Sequence, residues 1–136
     1  MTRLEGWEPT LISYLRFIAN QPFIWGKHDC FIFSGLCVKI ITGDNYIDDA
    51  IGKYNSFESS LEFARSHGFK NHIHFVAKRF KARPSPFQAM RGDLVVVPGL
   101  QNEPALGICQ GSRVYSVGEH GLYTVCMSHA KRVFEI

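Results

Sequence analysis

The sequence predicts an α+β domain, with N-terminal helices packed on a small, mostly antiparallel sheet. Three observations predict it. Apolar residues recur at helical spacing as far as about residue 81, and short apolar runs broken by Gly and Pro follow from residue 93. The stretch Arg83-Pro84-Ser85-Pro86 separates the two patterns. A length of 136 residues with 46% hydrophobic content suits one core, so residues 1–136 are read as a single domain.

The first helix is expected over Pro9 to Asn20. Leu11, Tyr14, Leu15 and Ile18 share a face, Pro9 suits the first turn and Pro22 blocks continuation. The second starts at Cys30, behind Asp29 as N-cap, and stops before Gly43. Its only charge is Lys39, which predicts a helix buried on most sides. A third is expected from Ser56 to Ser66, with Asn55 and Glu58 at capping-box spacing and Gly68 as terminator. A fourth spans roughly Ile73 to Lys81. Strands are expected at Asp93–Val97, Ala105–Cys109, Arg113–Val117, Leu122–Cys126 and Arg132–Ile136, with Gln110-Gly111-Ser112 closing a hairpin. The run Leu94 to Val97 is apolar enough to require an inner or covered strand.

Composition limits the function classes. Fifteen Lys+Arg against twelve Asp+Glu leave +3, too mild a surplus to require nucleic acid. The basic stretch Lys78, Arg79, Lys81 and Arg83 around Phe80 reads as the solvated end of a helix. No run reaches the length of a membrane span, and no signal-peptide core is seen. The four Cys, at 30, 37, 109 and 126, are expected to be reduced and form no close Cys-x-x-Cys pair. Neither metal nor cofactor is predicted. Cys37, Cys109 and Cys126 read as core residues.

Cys30 is placed differently. The segment Phe23-Ile24-Trp25-Gly26-Lys27-His28-Asp29-Cys30 puts a thiol in the first turn of a buried helix. Unpaired N–H groups and the helix dipole there favour a thiolate and would lower the thiol pKa. The same N–H groups could hold a developing oxyanion. The plainer alternative is that Cys30 packs and Asp29 only caps.

Trp25-Gly26 with Asp29-Cys30 and Ser34-Gly35-Leu36 resembles the nucleophile segment of the NlpC-like cysteine peptidases, which have a papain-like fold. Arg91-Gly92-Asp93-Leu94-Val95 and Ala105 to Gly111 resemble later strands of that family, in the same order. The likeness is greater to a small branch found in tailed phages and prophages, whose members share Trp-Gly-x-x-Asp-Cys. The resemblance implies a papain-like, NlpC-type core with Cys30 as nucleophile. It also implies synthesis in a bacterial cytoplasm, a place in a virion tail, and tail-tip or hub proteins or peptidoglycan peptides as partners. The family's catalytic histidine falls on Ala105, which can move no proton. Its third, polar residue falls near Tyr115 or Ser116.

The chain's own histidines are the substitutes. His28, two residues before Cys30, and His120, in the turn Gly118-Glu119-His120-Gly121, are the candidate bases. His28 could instead face solvent, and His120 could be a plain turn residue. His67 is expected to complement a helix C-terminus, and His129 to lie on the surface. His72 and His74 alternate as two ligands on a strand would, but lack local partners. Two functions follow. One is a tail-tip-associated protein with an atypical or degenerate hydrolase fold. The other is an active cysteine hydrolase of peptidoglycan peptides or related amides, with Cys30 as nucleophile and a relocated base.

Overall fold

The computed structural model describes residues 2–99 and 103–136. Four α-helices precede a five-stranded antiparallel sheet. The helices are α1 (Trp7–Phe17), α2 (Cys30–Thr42), α3 (Phe57–Ser66) and α4 (His72–Arg79). The strands are β1 (Leu94–Pro98), β2 (Pro104–Cys109), β3 (Arg113–Gly118), β4 (Gly121–Cys126) and β5 (Arg132–Phe134), in the order β4-β3-β2-β1-β5. The expected α+β class holds, and no described helix is long and apolar enough to cross a membrane.

Helix α2 is the centre of the fold. Nine of its residues are buried, as its lack of charge implies. It packs on β2 and β3 from one side and receives α1 on another. Asp29 caps it by accepting from Ile32 N–H at 2.9 Å, and Gly43 closes it in the left-handed conformation. Gly35 is there for space: a Cβ would stand 2.2 Å from Ile47 Cγ2, so the loop after α2 could not seat Ile47 against any larger residue.

Helix boundaries move by local chemistry. α1 begins at Trp7 and ends at Phe17, so Pro9 lies third in the helix, where its missing N–H still costs nothing. The capping box of α3 is Ser56 with Ser59, one position later than Asn55 with Glu58. α4 starts a residue early because Asn71 caps it, accepting from His74 N–H at 2.8 Å. It ends at Arg79 because residues 81–83 leave to pair with the outer edge of β5, through Arg83 N–H to Val133 and Glu135 N–H to Lys81.

Every residue of β1 before Pro98 is buried, which requires cover on both faces of the strand. β1 lies between β2 and β5, so the most apolar run presents no free edge. At its start, Asp93 is fully buried and holds Arg3, Arg83, Met90 N–H and Ile136 N–H. This carboxylate ties both ends of the described chain to the sheet. Of the basic stretch, Arg83 is committed to that pair, and Arg79 meets Asp44 at 2.7 Å over the Tyr46 ring. Cys37 and Cys109 are buried as expected, but Cys126 is half-buried at the end of β4, where bonding from Ser128 lowers its pKa.

Candidate active site

The site grows out of the turn before α2. Ile24 and His28 pair through both backbone bonds, which folds residues 24–28 into a tight loop delivering Asp29 and Cys30 to the helix start. Gly26 is required twice over. Its φ is +79°, and a Cβ would lie only 1.9 Å from the Tyr54 carbonyl oxygen. Residues 52–54 close over this turn: Gly52 N–H donates to Gly26 O at 2.8 Å, and the Tyr54 hydroxyl donates to Asp29 Oδ2 at 2.7 Å.

Asp29 therefore does more than cap. Its 1% exposed carboxylate accepts from Gly26 N–H, Ile32 N–H and the Tyr54 hydroxyl, all neutral donors. One buried charge holds turn, helix and closing loop in register.

Cys30 follows with its Sγ 3.7 Å from His72 Nε2, a separation within sulfur hydrogen-bond range. Asn71 fixes His72 as the first residue of α4, and the imidazole lies against the Phe31 ring, with centroids 6.1 Å apart. The structure thus supplies an imidazole to the thiol from a residue read above only as half of a metal pair on a strand. His72 and His74 lie on a helix instead, and His74 accepts Lys70 N–H through Nδ1.

The structure joins neither of the two expected bases to the thiol by a hydrogen bond. His28 is 7% exposed, with its ring edge-on to Phe33 and its Nε2 buried without a hydrogen-bond partner. It neither faces solvent nor bonds Cys30. His120 is exposed in the β3–β4 turn, and no hydrogen bond joins it to the site among the described residues. His67 does complement a helix end, its Nδ1 lying 3.0 Å from Phe63 O.

The electrostatics also depart from expectation. Burial pushes the Cys30 thiol up to about 12, and the Asp29 charge adds to the rise. Backbone N–H groups of Leu106, Cys30 and Phe31 pull it down, but by less. Helix-terminus stabilisation is present and is outweighed by desolvation at 8% exposure. Burial lowers the pKa of His72 in turn, against the raising effect of Asp29. Both shifts favour a neutral thiol beside a neutral imidazole at neutral pH, an arrangement that can exchange a proton but does not hold a standing thiolate.

The surroundings complete the set. Cys30 and Phe31 N–H groups lie in the first turn, where no intrahelical acceptor exists, and Leu106 N–H approaches from β2. Ala105, paired with Val97, immediately precedes Leu106, so the start of β2 does run beside the thiol. Ser116, near the expected third position, is spent on Leu106 O at 2.8 Å. Cys30 and His72 form part of the wall of a cavity of about 240 Å³. Trp25, Phe31, Tyr46, Tyr54, Phe63, Phe69 and Phe75 line most of the remainder.

No curated protein and no solved structure matches this chain. Residues 2–136 match the family described as a domain of unknown function, DUF6950, and the chain belongs to that family.

Proposed function

We propose that this protein is a thiol-dependent hydrolase of amides or esters, built on a papain-like, NlpC-type core. Cys30 is the nucleophile, and His72 is the relocated base. The observation that carries the reading is the 3.7 Å approach of His72 Nε2 to Cys30 Sγ in the wall of a cavity. Two features support the core: the nucleophile opens the buried helix, and the strand beginning at Ala105 runs past the sulfur, where the peptidases place their histidine.

Attack of Sγ on the acyl carbon forms the C–S bond as His72 Nε2 takes the thiol proton. The oxyanion gathers at the Cys30 and Phe31 N–H groups. Collapse breaks the bond to the leaving amine or alcohol, which receives that proton from the imidazolium. Water, deprotonated by the same imidazole, then attacks the thioester, the C–S bond breaks, the acid leaves, and Cys30 Sγ takes the proton back from the imidazolium. Asp29 orients nothing on His72; it holds the helix start rigid through Gly26 and Tyr54.

The test is acylation by p-nitrophenyl esters, followed by intact mass. One acyl adduct is expected on the full chain, at Cys30, with none on Cys30→Ser. Adducts formed equally by Cys30→Ser would refute the reading.

A second reading is a tail-tip component of a phage or prophage whose thiol does not turn over. Ala105 favours it, as does a thiol pushed up to about 12. A Cys30→Ser phage that assembles normal tails yet loses infectivity would rule it out, and full infectivity would support it.

A further inference from the structure

The cavity identifies the kind of group the substrate carries. It is about 240 Å³, larger than the roughly 150 Å³ apolar cavity that takes up benzene. Phe63, Phe69, Phe75 and Trp25 are among its walls, and no Lys or Arg lines it among the described residues. Its carboxylates are Asp29, whose oxygens are already bonded, and the exposed Asp49.

Resting on the hydrolase reading above, we infer that the acyl side of the substrate carries a bulky, neutral, apolar group of phenyl to indole size, which enters this cavity. In the acyl-enzyme the acyl carbon is bonded to Cys30 Sγ, itself part of the wall, and its oxygen is drawn to the N–H groups at the start of α2. The substituent on that carbon is thereby placed against the aromatic wall. Burying such a group removes apolar surface from water and brings in no unpaired polar atom of its own. A carboxylate in the same space would meet no Lys or Arg and two acidic side chains, with only the Tyr46 and Ser60 hydroxyls and the His67 and His72 rings to set against its lost hydration. The acidic residues of peptidoglycan peptides therefore do not suit the cavity, whereas an aromatic or branched residue of a peptide does, and so does a short fatty acyl chain.

The experiment has two arms. In the first, the full chain is assayed with p-nitrophenyl phenylacetate, acetate and monosuccinate. The phenylacetyl ester is expected to exceed the other two at least tenfold in kcat/KM. That advantage should disappear in Ala64→Phe, which narrows the cavity from α3, while acetate turnover persists. Equal or faster turnover of acetate or monosuccinate overturns the inference and leaves the hydrolase reading standing. Hexanoyl and N-acetylphenylalanyl esters then separate a fatty acyl source from a peptide one. In the second arm, Cys30→Ala is titrated with phenylacetamide, acetamide and succinamate, with thermal midpoint and Trp fluorescence as readouts. Phenylacetamide alone should raise the midpoint. If no ester reacts in the first arm, the hydrolase reading fails by itself. The apolar site is then judged on the amides, and no response to phenylacetamide overturns it.

Discussion

Two aspartates are buried among the described residues, and their corners are built for different ends. Asp93 has two guanidiniums, Arg3 and Arg83, and two backbone donors around it. Asp29 has only neutral donors, two from backbone and one from Tyr54. The first charge is compensated on the spot and acts as a clamp between chain ends and sheet. The second is left electrically open, and its field reaches its neighbours: it adds to the rise at Cys30 and Tyr54 and opposes the burial-driven fall at His72. Full compensation marks a structural corner, and partial compensation marks the corner beside the Cys30 thiol.

The comparison breaks most visibly at Asp93. Asp93→Ala strands two arginines with side chains only 21% and 17% exposed and is expected to cost about 3–5 kcal/mol in denaturant unfolding. A loss under about 1 kcal/mol would remove the clamp from the account. Asp29→Ala should cost less, about 1–3 kcal/mol, because it removes a helix cap and orphans a tyrosine hydroxyl but leaves no cation unpaired. Tyr54→Phe should cost about 1 kcal/mol by the same measurement.

Two smaller effects sharpen the contrast. Asp29→Asn keeps a cap but removes the charge, so the Cys30 pKa should fall and alkylation by iodoacetamide at fixed pH should quicken. Asp93→Asn should leave that rate unchanged. The acid side of the stability profile should also belong to the Asp29 corner. Burial holds His28 and His72 below the ordinary 6.5, so the unfolded chain binds more protons there. Stability is therefore complete above about pH 6.5 and declines as pH falls through that value. His72→Gln should flatten the decline, and an unchanged slope would contradict the assignment.

Local chemistry explains what the sequence revealed. The charge-poor run after Asp29, the Gly43 terminator and the Gln110–Ser112 hairpin each depend on neighbours a few residues apart, and each stands where periodicity placed it. Cys30 and Asp29 were legible for the same reason. His72 was not, because its partner lies 42 residues away and the approach depends on how α4 packs. The only local sign was Asn71, an N-cap that sets His72 in a first turn. The thiol's pKa departs from expectation for a related reason: the helix dipole belongs to the helix, but the desolvation that outweighs it comes from the burial of Cys30 to 8% exposure, which only the folded chain brings about. His28 is buried against Phe33 without bonding Cys30, an outcome of the two-bond pairing of Ile24 with His28 that its flanks do not reveal.

The central claim is that His72 serves as the base for Cys30, and one measurement bears on it most directly. Acylation by p-nitrophenyl phenylacetate would be followed by stopped-flow across pH 5 to 9 for the full chain and for His72→Gln, with folding checked by thermal midpoint. The expected result is a rate lower by about 10²–10⁴-fold in His72→Gln, together with loss of the rise that follows deprotonation of an imidazole below pH 6.5. An unchanged rate and pH profile in a folded His72→Gln would contradict the dyad.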